Sequence, residues 1–184
     1  MQVERESLRV SSEKSRCDFL PVTEALVLEK LMFTFGRDHE IKHATDFVGS
    51  PEKAQMLKDV INAVHDIIEG ERSPNDVLPI FKKAFIEGKS GVWETTGSWI
   101  RKLGQHYPET KELWKNLAID SSATTRYRVA CHLDEMPSEI VTEIGQRLAE
   151  DKSKRVSSMA LARLNEKDSY KSNQSDAQKE RASV

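Results

Sequence analysis

The sequence predicts an all-α fold, an α-solenoid or compact superhelix of about eight or nine antiparallel helices. Three observations predict it. Apolar residues recur every three or four positions through most of the chain, without strand-like alternation. Serine and proline mark helix starts at short intervals. A segment also repeats: Leu117 to Leu133 aligns with Leu148 to Leu164 at an offset of 31 residues. Identities fall at Leu117/Leu148, Ala118/Ala149, Asp120/Asp151, Ser122/Ser153 and Leu133/Leu164, where about one match is expected by chance. Each copy reads as helix, polar turn, helix. Such a period belongs to stacked helical hairpins, in which no unit buries its apolar face alone.

The elements follow in order. Residues 1–20 alternate charge and serine and read as a polar arm outside the fold. Residues 21–166 form one helical domain, with the clearest repeats over 108–165. Thr23 caps a helix to Phe35 with Leu28, Leu31, Met32 and Phe35 as its apolar positions, and Gly36 ends it. A short helix over Asp38 to Phe47 comes next. Ser50-Pro51-Glu52 combines a capping hydroxyl, a proline at the first position and an acid in the first turn. The helix it opens buries Leu57, Ile61, Val64 and Ile68, and Gly70 closes it. Ser73-Pro74 repeats the signal ahead of Val77, Leu78, Phe81 and Phe85, with Pro79 expected to shift or bend the start. Five helices then run over Val92 to Leu103, Glu109 to Ala118, Ser122 to Asp134, Ser138 to Glu150 and Ser153 to Asn165. Their short connections favour antiparallel neighbours. From Lys167 to Val184 the chain is polar with few anchors and reads as a disordered tail.

Composition excludes several functions. Charged residues make up 32% of the chain at a formal net charge of -2, which disfavours a general nucleic-acid binder. Cys17 and Cys131 make no disulfide framework and point to a reducing compartment. No apolar run approaches the roughly 18 residues that span a bilayer. Met1 to Arg16 has no apolar signal core. A cytoplasmic protein is expected, with no membrane or nucleic-acid partner.

The last unit carries Asp151, Val156, Ala160 and Leu164, with Ser157 at the arginine position; the preceding one carries Asp120, Thr125, Arg126, Val129 and Leu133. This pattern resembles HEAT-like repeats, which place an Asp in the turn, then a Val-Arg pair, a small residue and a Leu. A third, degenerate unit covers Pro79 to Leu103, with Gly88 in its turn. The resemblance covers residues 74–165 and implies a fold more than an activity. In such arrays the arginine often pairs with the turn Asp, which implies Arg126 with Asp120 or Asp151. A further string, Val92-Trp93-Glu94, Tyr107-Pro108, Leu113-Trp114, Arg126 to Ala130 and Met136-Pro137, resembles small bacterial HEAT-like proteins of toxin systems. That resemblance implies an immunity or antitoxin role.

Enzymatic patterns are weaker. His39-Glu40-Ile41-Lys42-His43 matches H-E-x-x-H, in which two imidazoles four residues apart hold zinc and the glutamate activates water. It resembles the motif of zinc metallopeptidases. Lys42 puts a cation beside the site, however, and Asp46 stands where the metzincin continuation needs Gly. A solvated helix face is the better reading, with no metal and no cofactor. Gly88-Lys89-Ser90 matches only the end of a P-loop, since Lys83 replaces its first glycine. Trp93, Trp99 and Trp114 with Arg126 and Arg128 match the chemistry of HEAT-like alkylbase DNA glycosylases, but no broadly basic groove accompanies them. The favoured expectation is a non-enzymatic protein-binding module, an immunity or antitoxin-type protein acting on a toxin, ahead of a general adaptor. Its binding face collects Trp99, Tyr127, Arg128, His132, Arg155 and Arg163 from the second helices of successive units.

Overall fold

The computed structural model describes residues 36–47 and 49–166. The polar arm, the Thr23–Phe35 helix, Cys17 and the tail from Lys167 lie outside the described residues. Within them every regular element is helical, as the periodicity requires.

Helix α1, Arg37–Phe47, is tied to the next helix by Arg37, whose Nη2 donates to Asp66 at 3.2 Å and Glu69 at 2.9 Å. Helix α2, Pro51–Ile68, starts where the serine and proline signal places it: the Ser50 hydroxyl accepts from the Lys53 N–H at 3.3 Å. Gly70, at φ 73°, turns the chain out of it. Helix α3, Pro74–Glu87, opens with a capping box between Ser73 and Asp76. Pro79 neither shifts nor breaks it. The carbonyl left without a donor is that of Asn75, in the first turn and exposed to water.

Helix α4, Val92–Leu103, follows Gly91, which sits at φ 87° with its N–H donated to the Glu94 carboxylate. Helix α5, Pro108–Ala118, buries Leu113, Trp114 and Leu117. Helix α6 is shorter than expected, Ala123–Ala130 instead of Ser122 to Asp134. The chain tightens after Ala130: His132 N–H donates to the Val129 carbonyl, and Leu133–Glu135 form a single 3₁₀ turn. Met136 is extended, the conformation that Pro137 imposes on the residue before it. Helix α7, Ser138–Ala149, and helix α8, residues 154–166, complete the described chain.

The helices form two rows. Helices α3, α5 and α7 pack side by side, as do α2, α4 and α6, and each helix also packs on its successor in the chain from α1 to α7. Lys111 on α5 pairs with Glu139 on α7 at 2.7 Å, and Lys115 pairs with Glu143 at 2.7 Å. Both pairs span 28 residues, so α5 and α7 run in the same direction. That register is three residues short of the 31-residue repeat, about one helical turn, which the side chains cover by reaching toward the next helix. The core between the rows is continuous and includes Phe81, Phe85, Ile100, Leu103, Trp114, Leu133, Ile140 and Leu148. No described helix is long and apolar enough to cross a membrane.

Candidate functional site

Two equivalent turns position the α6–α8 edge. Asp120 Oδ1 accepts from the Ser122 N–H at 2.8 Å, and Asp151 Oδ1 accepts from the Ser153 N–H at 2.8 Å. Arg126, one turn into α6, joins the two units. Its Nε donates to Asp151 Oδ2 at 2.6 Å and its Nη2 to Asp151 Oδ1 at 3.1 Å, while Nη1 donates to the carbonyls of Asp120 and Ser121. Both side chains are only 8% exposed. The Arg126 hydrogen bonds hold the Asp151 carboxyl below its usual range, and Asp151 in turn raises Arg126. Arg126 therefore takes the structural role that the repeat pattern implies, with Asp151 as the carboxylate it holds.

The next two residues point elsewhere. Tyr127 is half-buried, and the Arg155 guanidinium lies 3.9 Å from its ring centroid. Arg128 crosses to the end of α3, where Nη1 donates to the carbonyls of Phe85 at 2.6 Å and Ile86 at 2.7 Å. Those carbonyls belong to the negative end of a helix, which a cation completes. The Arg128 guanidinium also sits 5.5 Å from the Trp93 ring centroid, and burial lowers it against the upward pull of Glu94. Cys131, one turn on, is flanked by Tyr127, Arg155 and Arg163; burial pushes its thiol up, so it stays protonated.

His132 departs most from expectation. The 3₁₀ tightening turns it inward, where it is 8% exposed. Its ring packs against Phe85, Trp93 and Trp114 at centroid distances of 6.1, 5.8 and 5.4 Å. Its Nε2 is buried without a hydrogen-bond partner. Burial, followed by the charge of Arg101, brings the imidazole down to about 4. The ring lies directly on Gly97 of α4, where a Cβ would fall 2.3 Å from Nε2.

The sequence places six residues on one exposed patch; the structure divides them. His132 belongs to the core. Trp99, also 8% exposed, lines a different concavity of about 380 Å³ with Glu40, His43, Ala44, Leu57 and Ile61. Tyr127, Arg128, Arg155 and Arg163 remain together at the α6–α8 edge, with Arg163 held by Asp134 at 3.3 Å and Glu166 at 2.8 Å. The three tryptophans likewise separate, Trp93 and Trp114 to the His132 cage and Trp99 to the α1–α2–α4 concavity.

His39 and His43 are exposed one turn apart on α1, with Glu40 half-buried between them. Among the described residues no group of three His, Cys, Asp or Glu side chains gathers in a metal-binding arrangement. Gly88 is a packing glycine: a Cβ there would fall 2.2 Å from the Ala84 carbonyl and 2.6 Å from Val92. Sequence reasoning missed Arg128 as the cap of α3, because backbone carbonyls 42 and 43 residues away leave no mark on residue identity.

The comparisons with known proteins are silent. The chain matches no family model, no curated protein and no solved structure.

Proposed function

We propose that this chain is a non-enzymatic protein-binding module of HEAT-like character, acting in the cytoplasm. Within that class we read it as a bacterial immunity or antitoxin-type protein that covers the working surface of a toxin. The observation that carries the binding reading is the α6–α8 edge, where Tyr127, Arg128, Arg155 and Arg163 lie together on consecutive units. Aromatic and arginine side chains dominate interface energetics. Stacked helical hairpins support it further, since they offer an extended surface and blocking a partner needs only a complementary one. The toxin-system part rests on the resemblance of the Val92 to Pro137 string.

The test is coexpression with the product of the flanking reading frame. A growth arrest caused by that product should be lifted by this chain, and the two should co-purify at a fixed stoichiometry. A flanking product that neither arrests growth nor binds removes the immunity reading.

A further inference from the structure

Among the eight described arginines, five hold carboxylates of their own fold. Arg37 pairs with Asp66 and Glu69, Arg72 with Asp66, Arg101 with Glu135, Arg126 with Asp151, and Arg163 with Asp134 and Glu166. Arg128, Arg147 and Arg155 make no ion pair. Two of these three are instead stacked on aromatic rings, Arg128 on Trp93 and Arg155 on Tyr127. The stacked pairs involve adjacent residues of α6, with Tyr127 turned to Arg155 on α8 and Arg128 turned to Trp93 at the start of α4, so the two guanidinium groups flank α6.

The carboxylates nearby are already engaged, apart from the exposed Glu87 at the end of α3. Glu94 accepts from the Gly91 N–H with one oxygen and from the Ser90 hydroxyl with the other. Asp151 is held by Arg126, Asp134 by Arg163, and Glu150 accepts from Gln146. The cations are not. Lys152 and Lys154 are exposed just ahead of Arg155, Lys89 is exposed just after the α3 carbonyls that receive Arg128, and none of the three makes an ion pair. The edge thus holds Lys152, Lys154 and Arg155 with no carboxylate paired to them, whereas Arg128 feels the charge of Glu94 without an ion pair.

We propose that this edge receives an acidic segment of the partner protein, whose carboxylates dock on the guanidinium groups of Arg155 and Arg128. The assignment rests on the protein-binding reading and gives it a chemistry. Each guanidinium plane is held in place before the partner arrives, that of Arg155 against the Tyr127 ring and that of Arg128 by the α3 carbonyls beside Trp93, so little rotamer freedom is lost on binding. A carboxylate meets such a plane edge-on through two parallel hydrogen bonds, a geometry that lysine cannot match. Arg128 Nη1 is spent on the α3 carbonyls, and its remaining nitrogens make no hydrogen bond within the protein. A protein segment fits better than nucleic acid. The chain carries a formal net charge of -2, so a long polyanion finds no broadly basic surface to follow beyond this edge.

The test uses the full chain and a short fluorescein-labelled oligo-glutamate peptide, with oligo-lysine and single-stranded DNA of equal length beside it. Fluorescence anisotropy should show saturable binding of the glutamate peptide only, weakening as salt rises. Arg155→Glu should weaken it at least about tenfold, Arg155→Lys should fall between, and Lys58→Glu on the exposed face of α2 should leave it unchanged. Arg155 is exposed, so helicity and melting temperature should survive the substitutions. No saturable binding, or binding indifferent to Arg155→Glu, overturns the proposal; so does preference for DNA with the same dependence on Arg155. The cognate partner separates the two readings. If it binds and Arg155→Glu leaves its affinity unchanged, the acidic-segment assignment falls while the binding module stands. If no protein partner binds, both fall.

Discussion

Enclosed by Phe85, Trp93 and Trp114, the His132 imidazole is neutral at pH 7, and desolvation keeps it so. Its folded value of about 4 lies below the ~6.5 of a free imidazole, so between the two the unfolded chain binds the proton more readily. The stability this group contributes is complete above about pH 6.5 and is lost as pH falls toward 4. A difference of that size corresponds to about 3 kcal/mol at its limit. Wild-type melting temperature should therefore drop steeply between pH 6.5 and 4.5, and His132→Phe should flatten that drop. An equal drop in the variant would place the sensitivity elsewhere. Gly97 gives a second residue-level prediction, one in which packing opposes propensity. Replacing a mid-helix glycine by alanine favours the helix by roughly 1 kcal/mol. Here the new Cβ meets a caged ring at 2.3 Å. Gly97→Ala should destabilise in chemical denaturation, and adding His132→Ala should recover part of that loss relative to His132→Ala alone. His132 escaped the sequence because its cage is built from three other helices, and nothing in Cys131-His132-Leu133 announces burial.

Helices α6 and α8 show what one element owes to another. The bracing role of Arg126 was legible through the resemblance to HEAT-like arrays, which left Asp120 and Asp151 both open as its carboxylate, and the structure gives Asp151. The length of α6 was not: its apolar spacing continues to Leu133, while Pro137 forces the chain off the helix and the preceding residues tighten to meet it. The Arg126–Asp151 pair is nearly buried, so removing one partner strands the other charge, which typically costs about 3–5 kcal/mol. Arg126→Met and Asp151→Asn should each destabilise, and the double variant should lose less than the sum by at least about 1 kcal/mol. Additive losses in urea unfolding would mean that the pair does not couple the units. The ion pairs between α5 and α7 are more exposed and set register more than stability.

On the scale of the whole chain, all of the described partner candidates that stay together lie on one edge, and residues 166–184 carry no net charge, with four acids against four bases. Deleting 167–184 should accordingly leave partner affinity within about threefold, as read by calorimetry. Abolished binding would move recognition to that segment. The all-α character and the two-unit repeat were visible in the sequence because periodicity and capping are local. The division of the six candidate residues was not, since facing inward or outward depends on which neighbour each helix meets. Arg128 makes the point: its identity suggests a surface cation, and its acceptors lie at the end of α3.

The Arg126–Asp151 joint has a direction, with the unit that begins at Asp120 reaching forward to the one that begins at Asp151. A tandem duplication of residues 120–150 would carry its own donor and its own acceptor. The first Arg126 would meet the new copy of Asp120, which takes the place of Asp151, and the second would meet Asp151 itself. The upstream boundary is different, because Thr95 stands 31 residues before Arg126 and bonds only to the Gly91 carbonyl. Growth of this protein by whole modules is therefore built into one interval of the chain and closed to the interval before it.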